Sequence, residues 1–441
     1  MHITLVLPSV GRKGKKYIKT WTMEPLAIAV LASLTPADVK ITFFDDRLED
    51  VDYDAPTDLV GISVESYTSK RAYEIAAEYH KRGVPVVMGG YHATLVPEEV
   101  QNHAEATVIG DAEPVWAQVV DDAKNGRLKK VYRAERQTLS SEMTIPDRSI
   151  YADKKYLGIT LLETGRGCKF HCEFCSVTAF YEGDYRRKSV DLIVEEIRAT
   201  GSKQVFFVDD NIIGDVEYAK ELFTALIPLN IKWVTQCSLN AVKDRELLDL
   251  MVKSGCVGIL VGFESIAKDN LVQMHKGQNN GAKDYSGALA QLRQRGVVIY
   301  ATFVFGYDND DAGLIQRTVD FCREEKIFIA AFNHLVPFPG TPLYGRLKSE
   351  DKLLIEKWWL DPDYQYGDIS FYPKSVSPDE LTRLCLVARN EFYGVRSIIE
   401  RSLDFHANSK SPKWLFLFLL ANFMLRKEVM EKRSLMLGSE S

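Results

Sequence analysis

Residues 163–175 read Glu163-Thr-Gly-Arg-Gly-Cys168-Lys-Phe-His-Cys172-Glu-Phe-Cys175. The three cysteines have C-x3-C-x2-C spacing and follow an apolar stretch, 159–163, that reads as a short strand. Gly165 and Gly167 precede them, and glycine lets a backbone wrap closely around an inorganic group. The thiolates of Cys168, Cys172 and Cys175 can hold three irons of a 4Fe–4S cluster. The fourth iron then lacks a protein ligand, which leaves a coordination position open for a substrate. The competing reading is a zinc site made of the same thiolates and His171. It is the weaker one, because His171 adjoins Cys172 and zinc ligands this close in sequence usually come as two separated pairs.

Downstream of this loop the pattern is regular. Apolar strand signals at 205–208, 233–237, 258–263, 298–305 and 330–336 alternate with helical stretches at 190–200, 218–226, 244–253, 285–295 and 313–325. With the strand before the cysteines this makes six βα-type repeats, a partial (β/α)6 TIM-type barrel open on one side. Upstream, strand signals at 3–8, 39–44, 59–64, 85–88 and 107–109 alternate with helices at 25–34 and 69–81. Short apolar strands alternating with helices make a parallel sheet covered on both faces, here a flavodoxin-like or Rossmann-like domain. Ligands of such sheets bind at the carboxyl ends of the strands. The expected organisation is a Rossmann-like domain over 1–125, a linker over 126–156, the barrel over 157–345 and a helical, substrate-side region over 346–441.

The composition fits. The chain has 441 residues, 46% of them hydrophobic, which is enough for a large core without disulfide staples. Its net charge of −6 argues against nucleic acid, whose phosphates call for a basic face. Seven cysteines, an odd number with three clustered, imply a reduced compartment rather than a secreted framework, so the cytoplasm is the expected location. Residues 2–7 read as a first strand, not as a signal peptide. The remaining cysteines, 237, 256, 322 and 385, lie on apolar stretches and read as small buried hydrophobes.

The cysteine loop resembles the signature of the radical S-adenosylmethionine (SAM) superfamily, C-x3-C-x-aromatic-C, with Phe174 in the aromatic position. The resemblance implies that SAM occupies the open iron position and that one electron from the cluster cleaves it to a 5′-deoxyadenosyl radical. It continues through Phe207-Val-Asp-Asp-Asn211, Gly262-Phe-Glu-Ser265 and Pro337-Phe-Pro-Gly-Thr-Pro342. By this resemblance Asp209 and Asp210 face the methionine ammonium, and Glu264 and Phe174 also contact SAM. Taken singly, these acidic residues also read as solvated strand ends. A flavodoxin or ferredoxin-type electron donor is implied as well.

The first third resembles the cobalamin-binding domain joined to many such enzymes, on the residues Asp58-Leu-Val-Gly-Ile-Ser63, Val86-Val-Met-Gly-Gly-Tyr-His-Ala-Thr94, Pro97-Glu-Glu and Val108-Ile-Gly-Asp-Ala-Glu113. It implies that Gly89 and Gly90 let the cofactor approach, that Ser63, Ser66 and Thr68 bond its amides, and that His92 reaches a phosphate or amide; as a lone loop histidine, His92 also reads as structural. The alternative is a sheet that packs on the barrel and binds nothing. One departure stands out. Many cobalamin domains carry Asp-x-His-x-x-Gly after the first strand. Here the loop reads Pro8-Ser-Val-Gly-Arg-Lys-Gly, so a lower histidine ligand from that motif is absent.

The leading expectation is a cobalamin-dependent radical SAM enzyme that methylates an unactivated carbon of a small substrate. The rivals are oxidative cyclisation, rearrangement or dehydrogenation, and a non-enzymatic iron–sulfur carrier or sensor. No catalytic residue is assigned; Arg166, Tyr181 and Tyr185 lie near the loop without a role. The stretch 414–425 is apolar except for Asn422 and is flanked by Lys413, Arg426 and Lys427. As a twelve-residue helix of about 18 Å it is too short to cross a bilayer. It reads either as a buried helix or as a membrane-surface contact suited to a hydrophobic substrate.

Overall fold

A computed structural model describes residues 1–11, 22–134, 144–276, 285–431 and 435–438. The amino-terminal sheet holds β1 (His2–Leu7), β2 (Lys40–Asp45), β3 (Leu59–Ser63), β4 (Val86–Gly89), β5 (Ala106–Ile109) and β6 (Val131–Arg133). All its pairings are parallel, in the order β2-β1-β3-β4-β5-β6. The interior strands are apolar on both faces: Ile3, Leu5 and Val6 of β1 are buried, as are Leu59, Val60 and Ile62 of β3. β6 falls in the stretch expected to be linker, so the first sheet runs past residue 125. Its three residues give too short an alternation to register as a strand; pairing with β5 makes it one. Part of the departing loop after β1 lies outside the described residues.

The second sheet holds β7 (Thr160–Leu162), β10 (Gln204–Phe207), β11 (Lys232–Gln236), β12 (Cys256–Glu264), β13 (Val298–Phe305) and β14 (Ile329–His334). β8 (Gly165–Gly167) and β9 (Tyr185–Arg187) form a separate antiparallel pair. The six strands are parallel and lie in sequential order, the open half-barrel read from the sequence. Ile259, Val261 and Phe263 of β12 turn to the helical side, where Phe263 stacks on Phe303 with ring centroids 5.5 Å apart. Side-chain caps start the helices: Ser189 accepts from Leu192 N, Asp215 from Tyr218 N and Asp311 from Leu314 N. Each such cap contributes about 1 kcal/mol.

The carboxy-terminal region differs most from expectation. Within the region expected to be helical, residues 378–402 form two helices, Pro378–Phe392 and Val395–Ser402, because Gly394 lies extended and caps the second. Before them, the buried pair Trp358 and Trp359 joins the two domains: Trp358 donates to Pro337 O and Trp359 to Glu99 of the first domain. The apolar stretch 414–425 lies within a longer helix, Pro412–Glu431. Phe418 and Ala421 of that helix pack on Val298, Phe328 and Ile329, at the amino ends of β13 and β14. Among the described residues, no helix is long and apolar enough to cross a membrane.

Candidate active site

The cysteine loop leaves the carboxyl end of β7 through the β8–β9 hairpin. Gly167 has φ +84, and a Cβ there would lie 2.0 Å from Asp184 O; at Gly165 it would lie 2.4 Å from Arg186 O. Both glycines are required by the returning chain at Asp184 and Arg186. Cys168 and Cys175 are half-buried and Cys172 is buried. Cys175 N donates to Cys172 O at 3.1 Å and caps the helix Ser176–Tyr181. The loop is tied to the late-barrel turn, since Arg346 holds both oxygens of Glu173 and Leu343 N donates to Glu173 O at 2.9 Å. Phe174 packs against the barrel core. The ring of His171 lies over Gly183, where a Cβ would come within 2.5 Å of its Cε1.

Two carboxylates end β10 beside this loop, with different duties. Asp209 is buried and takes both Thr164 N (3.1 Å) and Thr164 Oγ1 (2.5 Å). Asp210 accepts from Gly167 N at 3.1 Å, directly before Cys168. Burial pushes both up to about 7, although their hydrogen bonds pull the other way. Glu264 ends β12 at a register shift with φ +61, a left-handed conformation uncommon for a non-glycine residue. It pairs with Lys276 at 2.6 Å.

This donor set fits an iron–sulfur cluster. Burial, with the neighbouring Cys175, Asp210 and Cys172, pushes the Cys168 thiol up to about 11. A pocket that crowds thiols and carboxylates out of water needs positive charge, which cluster irons and a cationic co-substrate supply. Among the described residues no three His, Cys, Asp or Glu side chains converge on a single metal ion. A four-iron cluster sets its thiolates wider apart than one zinc ion would.

The site has a second wall. Arg166, in the cysteine loop, pairs with Asp111 (3.0 Å) and Glu113 (2.7 Å), which follow β5 of the first domain, and with Glu163 (2.9 Å). Arg186 of β9 pairs with Asp111 at 2.6 Å. Arg166 pulls the Glu113 carboxyl below its usual range against the opposing effect of burial. Tyr91 packs against Phe180 with the rings tilted by 37° and their centroids 4.6 Å apart. Burial, with Asp210 and Cys175 nearby, raises its hydroxyl well above the usual phenol range. The carboxyl ends of β4, β5, β7 and β10 thus face one another. Asp111 and Glu113 belong to the quoted Val108–Glu113 stretch, but nothing local in the sequence pairs them with Arg166, 53 to 55 residues on.

The residues proposed to meet cobalamin divide into two groups. His92 is fully buried; its Nδ1 meets Ser66 Oγ at 3.2 Å and its Nε2 meets Glu99 Oε1 at 3.3 Å. Thr68 Oγ1 bonds the backbone of Glu65. The polar atoms of Ser66, Thr68 and His92 are therefore engaged inside the protein, and the structure does not offer them to a ligand. Ser63, Gly89 and Gly90 remain half-buried at the carboxyl ends of β3 and β4. Gly90, at φ +99, is needed there because a Cβ would lie 2.9 Å from Val64 O.

Comparison with known proteins agrees with this arrangement. Residues 162–321 match the model of the Radical SAM superfamily. The chain is 30% identical over 419 residues to bacteriochlorophyllide d C-12(1)-methyltransferase of Chlorobaculum tepidum, covering 91% of this chain and 89% of that protein. It is 32% identical over 352 residues to bacteriochlorophyllide d C-8(2)-methyltransferase of the same organism, covering 76% and 78%. In fold it is similar to the radical SAM methyltransferase TsrM of Kitasatospora setae, solved with cobalamin and a [4Fe-4S] cluster bound. There the TM-score is 0.69 at 15% identity, over 98% of this chain and 99% of that one.

Proposed function

Because this chain belongs to the Radical SAM superfamily, we propose that it is a cobalamin-dependent methyltransferase acting on an unactivated alkyl carbon of a tetrapyrrole. The carrying observation is the clamp of Arg166 on Asp111 and Glu113, which makes one site from the strand ends of two domains. When bound, the cluster supplies the electron that cleaves SAM, and the corrinoid supplies the methyl group. Cys168, Cys172 and Cys175 hold the cluster. Asp210 receives the methionine ammonium, whose charge favours the ionised form of a buried carboxyl. Asp209 positions Thr164 at the mouth of the loop. Glu264, paired with Lys276, holds SAM from the opposite strand end. Ser63, Gly89 and Gly90 border the corrinoid. The Tyr91–Phe180 and Trp358–Trp359 pairs exclude water from the seam between the domains. The substrate class follows from the two relatives named for bacteriochlorophyllide, a hydrophobic macrocycle. The electron donor is a flavodoxin or ferredoxin, the protein works in the cytoplasm, and 414–425 touches the membrane surface.

Protein produced anaerobically with hydroxocobalamin is expected to carry corrinoid nearly stoichiometric with its cluster and, given SAM, reductant and a chlorin-type substrate, to add one methyl group by mass. Corrinoid near zero beside a full iron load would overturn the two-cofactor reading. A product that has lost hydrogen or gained oxygen would reassign the reaction to oxidative cyclisation or dehydrogenation.

A further inference from the structure

The helix Pro412–Glu431 is held to the barrel by an unusual anchor. Arg401, fully buried, donates to Ile327 O, Phe328 O and Phe392 O and to Asn422 Oδ1, and its guanidinium stacks on Phe392 at 3.7 Å. Asn422, the polar residue of the apolar stretch, is thus turned inward with Phe418 and Ala421. Among the described residues, nothing covers the opposite face. Phe416 is 63% exposed, and Leu420, Phe423 and Met424 also face outward. The helix Val395–Ser402 packs Ile398 against Phe418 and Ala421, and just after it Leu403 is 61% and Phe405 70% exposed. Large side chains rarely stand this open in a group on a monomer unless the surface meets something.

The cations that directly flank the apolar run favour an anionic surface. Within the apolar run, residues 414–425, there is no Asp or Glu; exposed Lys413 precedes it and Arg426 and Lys427 follow it directly, before Glu428 and Glu431 at the end of the helix. An anionic lipid surface complements the same pattern: apolar side chains enter the acyl boundary and both cationic ends lie at headgroup level.

We propose that the outer face of Pro412–Glu431, extended by Leu403 and Phe405, is a docking surface for anionic membrane. It lies at the amino ends of β13 and β14. The cysteine loop leaves the carboxyl end of a strand of the same sheet, so docking leaves the active site turned away from the bilayer. This face anchors the enzyme and does not form a direct substrate entrance. The inference extends the membrane contact named above and does not rest on methyl transfer.

Full-length, cluster-loaded protein would be sedimented with sucrose-loaded vesicles of phosphatidylcholine alone and of phosphatidylcholine with phosphatidylglycerol. Binding is expected to the anionic vesicles, to weaken with salt, and to fall by about tenfold in Phe416→Ser/Phe423→Ser. That variant should keep the parent's iron content and melting temperature, because both side chains are exposed. Lys413→Gln/Arg426→Gln should remove the preference for anionic lipid. Protein left in the supernatant with both vesicle types would overturn the proposal. So would binding that the phenylalanine variant does not alter. A concentration-dependent dimer in sedimentation velocity, lost in Phe416→Ser/Phe423→Ser and accompanied by no vesicle binding, would assign the face to a second copy instead.

Discussion

Two glycine-bearing turns at the ends of parallel strands carry motif residues, one after β7 and one after β4, and they put those residues to opposite use. In both, the glycines answer to the protein: Gly167 makes room for Asp184 and Gly90 for Val64. After β4, each polar side chain then finds a partner inside the fold. His92 is held between Ser66 and Glu99, and Glu99 in turn accepts from Tyr73, Trp359 and Lys357. After β7, the acidic groups are brought together with too little positive charge. Asp209, Asp210 and Cys168 all have raised proton affinities. A buried polar group that is satisfied supports structure, and one left in electrostatic debt marks where a ligand belongs.

The largest test of this contrast replaces Cys168, Cys172 and Cys175 together with alanine. Iron binding and SAM cleavage should both fall to background. Retention of SAM turnover by that variant would break the cluster assignment. His92→Ala should instead leave iron content and SAM cleavage in place and lower the melting temperature, because it removes a packed ring, strands the Ser66 hydroxyl and takes away one of the four partners of Glu99.

Next in size is the seam between the domains. Arg166→Ala leaves Asp111 and Glu113 buried without their shared cation. Removing one partner of such a group costs about 3–5 kcal/mol. Asp111 keeps Arg186, so unfolding in denaturant should show the loss and adding Glu113→Gln should recover part of it by removing the carboxylate left without an ion pair. An Arg166→Ala protein as stable as the parent would mean that the two sheets are held by other contacts.

The legibility of these regions follows the range of the forces that build them. The alternation of strands and helices is local, so both sheets and the half-barrel could be read before the structure was known. The cysteine spacing is local too. What could not be read depends on partners far away in sequence. β6 is a strand because β5 lies beside it. His92 is spent because Ser66 and a tryptophan 267 residues downstream close around it and Glu99. Arg166, noted without a role, acquires one only when β5 and the cysteine loop meet. The inward turn of Asn422 depends on Arg401, so the sequence shows an apolar helix and not which face remains open.

The smallest effect is also the sharpest test of the turn after β4. Burial works against the Glu99 carboxylate, yet the hydrogen bonds from His92, Trp359 and Lys357 overcome it and hold its pKa down to about 2, from 4.5. The unfolded chain takes up this proton near pH 4.5 and the folded one only near pH 2, so between those values the unfolded state binds more protons. Glu99 therefore contributes stability that is present above pH 4.5 and is lost as the pH falls toward 2. Glu99→Gln should flatten the acid limb of the stability curve in that window. If parent and variant showed the same slope there, Glu99 would be free of the network described, His92 would lose the partner that occupies its Nε2, and the turn after β4 would again be open to a ligand.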